Sequence, residues 1–123
     1  MPTTEAQAKF KAFIETKEVQ AWLAEFPVEG TKATYSSALY RYWSESLSKK
    51  YATLWDWIIE VKRQRKSDDM TTRKGWALDV LNYMKTRTGL GNRPMSTASK
   101  ELLSSAVKSF LRALAEMTSE VGD

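Results

Sequence analysis

The chain has 123 residues, a formal net charge of +4 and 42% hydrophobic residues, which predicts one folded domain with a substantial core. It contains no cysteine and no histidine, so disulfides, thiolate metal sites and serine–histidine or cysteine–histidine catalysis are excluded. No apolar run approaches the roughly 18 residues of a membrane-spanning helix, and residues 1–5 lack a secretory pattern. We expect a soluble, cytoplasmic protein.

Charge is unevenly distributed along the chain. Residues 1–30 hold three Lys against five Glu, whereas residues 31–123 hold sixteen Lys or Arg against ten acidic residues. Within residues 85–112 there are six basic residues and one acidic residue. Such a basic sector would attract a polyanion such as DNA, although a surface that keeps the protein soluble would have the same composition.

The first helical segment is predicted over residues 5–26, where Phe10, Phe13, Val19 and Trp22 recur at helical spacing. Thr16 lies near its middle and is a residue type that caps helices, so one bent helix and two separate helices are both possible. A proline at position 27 ends the segment.

Two further helices are predicted between residues 30 and 66. The second helix begins at Gly30–Thr31 and has one apolar face. The third begins at Thr53, with Asp56 in the position of a capping partner. Apolar residues cover too much of its circumference for a surface helix, so we expect it to be deeply packed, with the basic run 62–66 as its solvated end.

The fourth helix is predicted over residues 70–87 and the fifth from Ser96 to about residue 117. In the fourth, the inward residues are expected to be Trp76, Val80, Leu81, Tyr83 and Met84. The residue at its interior position 75 is glycine, which predicts a close approach of another helix. No segment alternates as a strand, so the expected fold is all-α, a compact bundle of four to five helices.

Sequence motifs of catalysis and cofactor binding are missing. Carboxylates are not grouped at the spacing of metal ligands, and Gly89-Leu90-Gly91 lacks the remainder of a phosphate-binding loop. We therefore predict no metal, no cofactor and no catalytic residue in this chain. The protein is expected to bind a partner.

Two segments of the chain match without gaps, residues 31–43 and 99–111. Each begins with a hydroxyl residue and a lysine, and each ends in large apolar residues. Helix N-termini attract phosphate, and short hydroxyl side chains and lysines add hydrogen bonds and charge. Caps are the alternative role for Thr31 and Ser96, and small packing residues the alternative for Ser36 and Ser105. The candidate DNA-binding residues are Thr31, Lys32, Thr34, Ser37, Arg41, Arg93, Ser96, Thr97, Lys100, Ser104 and Lys108.

The same two helices resemble a known family. Thr34-Tyr35-x-x-Ala38-Leu39-x-x-Tyr42 is similar to a helix of the core-binding domain of tyrosine recombinases and phage integrases. Ser96-Thr97-x-x-x-x-Leu102-Leu103-Ser104-x-Ala106-Val107-Lys108-x-Phe110 is similar to the last helix of that domain. The resemblance implies a SAM-like helical bundle that forms one half of a C-shaped clamp around double-stranded DNA.

The resemblance also implies roles for individual residues. Tyr35, Leu39, Tyr42, Leu103, Val107 and Phe110 would be core, whereas Lys32, Thr34, Ser37, Arg41, Thr97, Lys100, Ser104 and Lys108 would face DNA. The family's catalytic constellation needs histidine, which is absent, so Tyr51 and Tyr83 are interpreted as packing groups.

The resemblance further implies how this chain would be organised and what it would bind. Residues 1–117 would be the DNA-binding domain, and residues 118–123 the start of an interdomain linker or a disordered tail. The chain would be a fragment of a longer recombinase or a free-standing relative. The implied partners are double-stranded DNA, a catalytic domain of the same polypeptide and a recombinase oligomer, at the nucleoid in the cytoplasm.

A second functional class remains open, a helical domain that binds another protein. Five Trp in a small domain could leave an aromatic residue exposed, and Trp is favoured at binding hot spots. Trp55 and Trp57 cannot both lie on one helical stripe, so one of them is expected near the surface. A small-molecule pocket among the aromatic residues is a weaker alternative, because no polar residues converge on it in the sequence.

Overall fold

The structure, a computed structural model, describes residues 5–86 and 95–120, with side chains described as far as Leu114 in the last helix. In these ranges it contains helices and no strand, which confirms the all-α prediction. The α-helices are α1 (Glu5–Ile14), α2 (Lys17–Leu23), α3 (Glu29–Glu45), α4 (Leu54–Arg65), α5 (Met70–Arg73), α6 (Gly75–Thr86) and α7 (Thr97–Glu120), with one 3₁₀ turn at Leu47–Lys49. There are more helices than the predicted four or five because two predicted helices are each divided.

The first division lies at Thr16. Its backbone is extended, with φ −63° and ψ 151°, and its Oγ1 accepts a hydrogen bond from the Val19 N–H. A residue in this conformation ends one helix and caps the next. Of the two possibilities that the sequence left open, the structure therefore shows two helices.

The second division separates α5 from α6 at Lys74. Gly75 is consequently the first residue of α6 rather than an interior residue. The predicted close approach at this glycine is confirmed, because a Cβ there would lie 3.0 Å from the Gln64 Oε1 of α4. Leu81 was predicted to point inward and is 48% exposed, since the buried face of α6 is formed by Val80, Tyr83 and Met84.

The start of α4 is the one the sequence predicted. The Thr53 Oγ1 accepts a hydrogen bond from the Asp56 N–H, and the Asp56 carboxylate accepts one from the Thr53 N–H, both at 3.2 Å. The expectation that α4 is too apolar for a surface helix holds for one side only, where Leu54, Trp57, Ile58 and Val61 are buried. Trp55 is 38% exposed and Ile59 50% exposed, so one of the two tryptophans lies near the surface, as expected.

The core is centred on α7, which packs against α2, α3 and α4. Phe110 is fully buried; its ring stacks on Trp57 with centroids 5.7 Å apart and meets Trp22 edge-on at 5.3 Å. The residues predicted as core are buried, except that Tyr35 is partly buried against the core. These aromatic contacts hold α7 in place against α2 and α4. They thereby also determine which face of α7 meets α3.

The last helix extends to Glu120, three residues beyond the domain end predicted at 117, so residues 118–120 of the predicted linker are helical. Residues 121–123 lie outside the described part of the chain, so the linker stays a prediction. Among the described helices, none combines the length and the hydropathy that crossing a bilayer requires.

Candidate nucleic-acid interface

The two helices with matching sequences pack directly against each other. Between them opens a cavity of about 200 Å³, which we call the α3–α7 cleft. Its described lining residues are Thr34, Ser37, Ala38, Arg41, Tyr83, Met95, Ser99, Leu102 and Leu103. The structure therefore brings predicted residues from one matched segment next to the other segment.

Helical periodicity places the α3 contribution to the cleft. Thr34, Ser37 and Arg41 are spaced by three and four residues, so they share one face of α3, while Leu39 and Tyr42 on another face are buried in the core. The Thr34 hydroxyl donates to the Gly30 carbonyl at 2.9 Å and is thus used within the helix.

Arg41 and Ser37 are the polar groups of α3 that remain available in the cleft. Both residues are exposed. Arg41 forms no ion pair, and Ser37 no side-chain hydrogen bond, with any residue in the described ranges. None of the described lining residues is acidic. The cleft therefore presents a guanidinium and a hydroxyl to an anion at its mouth.

The α7 residues that line the cleft are Ser99, Leu102 and Leu103, and the polar one is Ser99, at the first turn of the helix. Ser96 caps α7, because its Oγ accepts a hydrogen bond from the Ser99 N–H at 3.1 Å, and it donates to the Ser99 Oγ at 3.0 Å. The cap role proposed as the alternative for Ser96 is thus the observed one. Ser99 belongs to the matched segment but was not among the candidate site residues, since its place in the cleft depends on how α7 packs.

Lys32, one of the residues expected to face DNA, does not line the cleft. It lines a groove between α1, α2 and α3, together with residues such as Phe10 and Gln20, and Ser37 borders both this groove and the cleft. The Lys32 ammonium pairs with the Glu29 carboxylate at 3.1 Å. Lys32 precedes Thr34 by two positions, about 200° around the helix axis, so the two residues face different neighbours.

The structure corrects the predicted start of the second helix at Gly30–Thr31 and the cap role considered for Thr31. The helix begins at Glu29, and Val28 occupies the N-cap position without a side-chain hydrogen bond. Thr31 is therefore a half-buried residue of the first turn and not a cap. The packing role suggested for Ser36 is confirmed, since Ser36 is 2% exposed, whereas Ser105 is exposed and has no such role.

The remaining candidates on α7 form a separate polar stripe, which we call the α7 stripe: Thr97, Lys100, Ser104 and Lys108. Their spacing of three, four and four residues places them on one face of the helix. None of them lines the α3–α7 cleft.

Within the α7 stripe, Lys100 and Ser104 are half-buried and Lys108 is exposed. Neither lysine forms an ion pair within the part of the chain that the structure describes. Arg93 lies outside the described residues.

The tyrosines of the core are packing groups, as the sequence suggested. Burial raises the pKa of Tyr42 far above its ordinary value, and burial likewise raises the pKa of Tyr51. A tyrosine nucleophile requires the opposite shift or an adjacent base. Tyr83, which lines the cleft, is buried, and its hydroxyl donates to the Glu45 carboxylate at 2.7 Å.

The described residues contain no group of three or more acidic residues that could hold a metal ion. Comparison of the chain with protein-family models, with curated proteins and with solved structures finds no match. The chemistry of the cleft and of the α7 stripe is therefore the ground for a functional proposal.

Proposed function

We propose that this chain is a non-catalytic domain that binds double-stranded DNA through α3 and the N-terminal half of α7. The observation that carries the proposal is the α3–α7 cleft, where an arginine with no ion pair among the described residues and exposed hydroxyls meet between the two matching helices. No described lining residue is acidic, and the carboxylate of Glu45, one helical turn from Arg41 on α3, accepts a hydrogen bond from Tyr83.

Binding would be dominated by the phosphate backbone. The guanidinium of Arg41 matches the geometry of a phosphate and makes two parallel hydrogen bonds to it. Ser37 adds a short hydroxyl donor, and Lys100 and Lys108 of the α7 stripe add charge beside the cleft. Contacts of this kind fix the register on the duplex and carry little sequence information.

The parent protein is proposed to be a site-specific tyrosine recombinase or integrase. The support is the resemblance of α3 and α7 to the core-binding domain. Histidine, which the family's catalytic constellation needs, is absent from this chain. Cleavage chemistry would come from a catalytic domain of the same polypeptide, and an oligomer would assemble on DNA in the nucleoid. This chain would form one half of the clamp that encloses the duplex.

The experiment is fluorescence anisotropy with a labelled duplex of random sequence, titrated with protein between about 50 and 200 mM salt. For Arg41→Ala we expect weaker binding at every sequence and a salt slope reduced by about 0.9, the value for one lost phosphate contact. Lys32→Ala is the matched control, because it removes the same charge from the same helix on a different flank. Its affinity should stay closer to that of the wild type.

Two outcomes would refute the proposal. One is wild-type binding that does not change with salt. The other is a triple variant, Arg41→Ala, Lys100→Ala and Lys108→Ala, that binds duplex DNA as tightly as the wild type. Thermal unfolding of each variant separates loss of binding from loss of fold.

The exposure of Trp55 and Ile59 favours a second candidate function, binding of another protein. The two side chains are one helical turn apart and lie on the same side of α4, and they are 38% and 50% exposed. Binding that survives high salt and is lost in Trp55→Ala, with Arg41→Ala unaffected, would replace DNA binding by this function.

A further inference from the structure

A second cationic cavity lies where α4 ends, α5 follows and α6 begins. Its volume is about 280 Å³, and we call it the basic pocket. Its described lining residues are Arg65, Met70, Arg73, Lys74 and Trp76, three cations and two apolar side chains with no acid. This cavity shares no lining residue with the α3–α7 cleft.

Nearby carboxylates are engaged elsewhere. Glu60 accepts hydrogen bonds from Arg63 at 2.6 and 2.7 Å. Asp69 accepts hydrogen bonds from the backbone and the hydroxyl of Thr72, at 3.0 and 2.6 Å, as the N-cap of α5. Asp68 is exposed and is not among the lining residues. The three lining cations consequently have no ion pair with a residue in the described ranges.

Helix dipoles explain part of this arrangement but not all of it. Arg65 and Arg73 occupy the last turns of α4 and α5, where a cation is favourable. Lys74 is the C-cap of α5, where a cation is favourable, but it also directly precedes α6, a helix of 12 residues whose positive end opposes a cation. Three like charges around one cavity also repel each other. The three cations are exposed, so solvent and salt screen this repulsion, and an anion between them would lower it further.

We propose that the basic pocket binds a phosphate group of a nucleic-acid backbone. Arginine provides paired donors to phosphate oxygens and lysine provides a point charge. The half-buried ring of Trp76 and the exposed side chain of Met70 provide an apolar wall for a sugar or a base. The volume is several times the roughly 30 Å³ of one water molecule in the liquid, so a phosphate with part of its sugar fits.

This site adds to the α3–α7 cleft and does not depend on it. Trp76 of the basic pocket and Tyr83 of the cleft are seven residues apart on α6, which is about 10 Å along the helix axis. The two cavities would therefore contact different phosphates of one nucleic acid.

The first arm of the test uses inorganic phosphate and the indole N–H signals in a ¹⁵N NMR spectrum, at constant ionic strength with chloride as the comparison anion. Phosphate should shift the Trp76 signal and leave the Trp55 signal, which is outside the pocket, in place. The double variant Arg73→Ala/Lys74→Ala should abolish the shift. A Trp76 signal that responds equally to phosphate and chloride overturns the pocket as a phosphate site.

The second arm uses the labelled duplex. Arg73→Ala/Lys74→Ala should lower its affinity by about tenfold and the salt slope by about 1.8. The control is Lys9→Ala/Lys11→Ala, which removes the same charge from exposed positions of α1 and should have a smaller effect. If the pocket binds phosphate but the double variant loses no duplex affinity, the ligand is a free phosphate compound and the proposal of a nucleic-acid phosphate is refuted. If the Arg41→Ala variant binds normally while this double variant does not, the basic pocket stands and the cleft proposal fails.

Discussion

Replacement of Phe110 by alanine tests whether α7 is held in place by its aromatic contacts. Phe110 is fully buried between Trp22 and Trp57. Truncation of a buried phenylalanine costs about 3–5 kcal/mol. The upper half of that range is expected, because each lost ring pair contributes about 0.5–1.5 kcal/mol beyond its buried area. A domain of this size is stable by about 6–18 kcal/mol, so the variant should still fold but unfold at much lower urea concentration.

The measurement is urea unfolding followed by far-ultraviolet circular dichroism, which does not depend on the tryptophan environment. A double-mutant cycle with Phe110→Leu and Trp57→Leu isolates the stacked pair, and the expected coupling is about 0.5–1.5 kcal/mol. Leu102, which is half-buried at the edge of the same helix, provides the comparison: Leu102→Ala should cost clearly less than Phe110→Ala. A loss below about 2 kcal/mol for Phe110→Ala, outside the range for buried phenylalanine, or a coupling near zero, would refute the central role of this contact.

Three further predictions concern individual side-chain hydrogen bonds. Thr53→Ala should lower the free energy of unfolding by about 0.5–2 kcal/mol because it removes the capping box with Asp56. Thr53→Ser keeps the hydroxyl and should retain most of that stability. Equal losses for the two variants in urea unfolding would contradict the role of the capping box. Tyr83→Phe should cost about 1–1.5 kcal/mol, the low end for a bond to a charged group because Glu45 is exposed, and an unchanged midpoint would show that the bond contributes nothing. Hydrogen bonds from the Thr72 hydroxyl and then its backbone N–H lower the pKa of Asp69, so its contribution to stability is present above the unfolded pKa and is lost as pH falls through the folded one. A carboxyl NMR titration that places the pKa of Asp69 at or above its ordinary value would contradict the cap.

Local signals in the sequence predicted the ends of several helices. Thr53, Thr16 and Ser96 act on backbone groups within three residues of themselves, so their roles depend on little beyond the neighbouring sequence. The prediction for Thr31 was wrong because α3 begins two residues earlier, at Glu29. A Ser or Thr caps a helix only when it occupies the N-cap position, and in α3 that position is occupied by Val28.

Burial was less well predicted for α4 and α6 than for α7. Apolar spacing identified the core face of α7, where Leu103, Val107 and Phe110 are buried. Apolar spacing in α4 and α6 could not show that Ile59 and Leu81 remain exposed. The sequence of a helix does not indicate how many other helices pack around it. Exposure depends on neighbours that are distant in the sequence.

The sequence by itself determined that the chain is helical, that it lacks histidine and cysteine chemistry, and which residues share a helical face, because composition and periodicity are local properties. Only the tertiary structure decided which of those faces meet. Packing of α3 on α7 places Arg41 in the cleft and leaves Lys32 in a groove with α1 and α2. The fold also gathers Arg65, Arg73 and Lys74 around one cavity, because the angles between α4, α5 and α6 decide where these side chains meet, and helical periodicity does not give those angles.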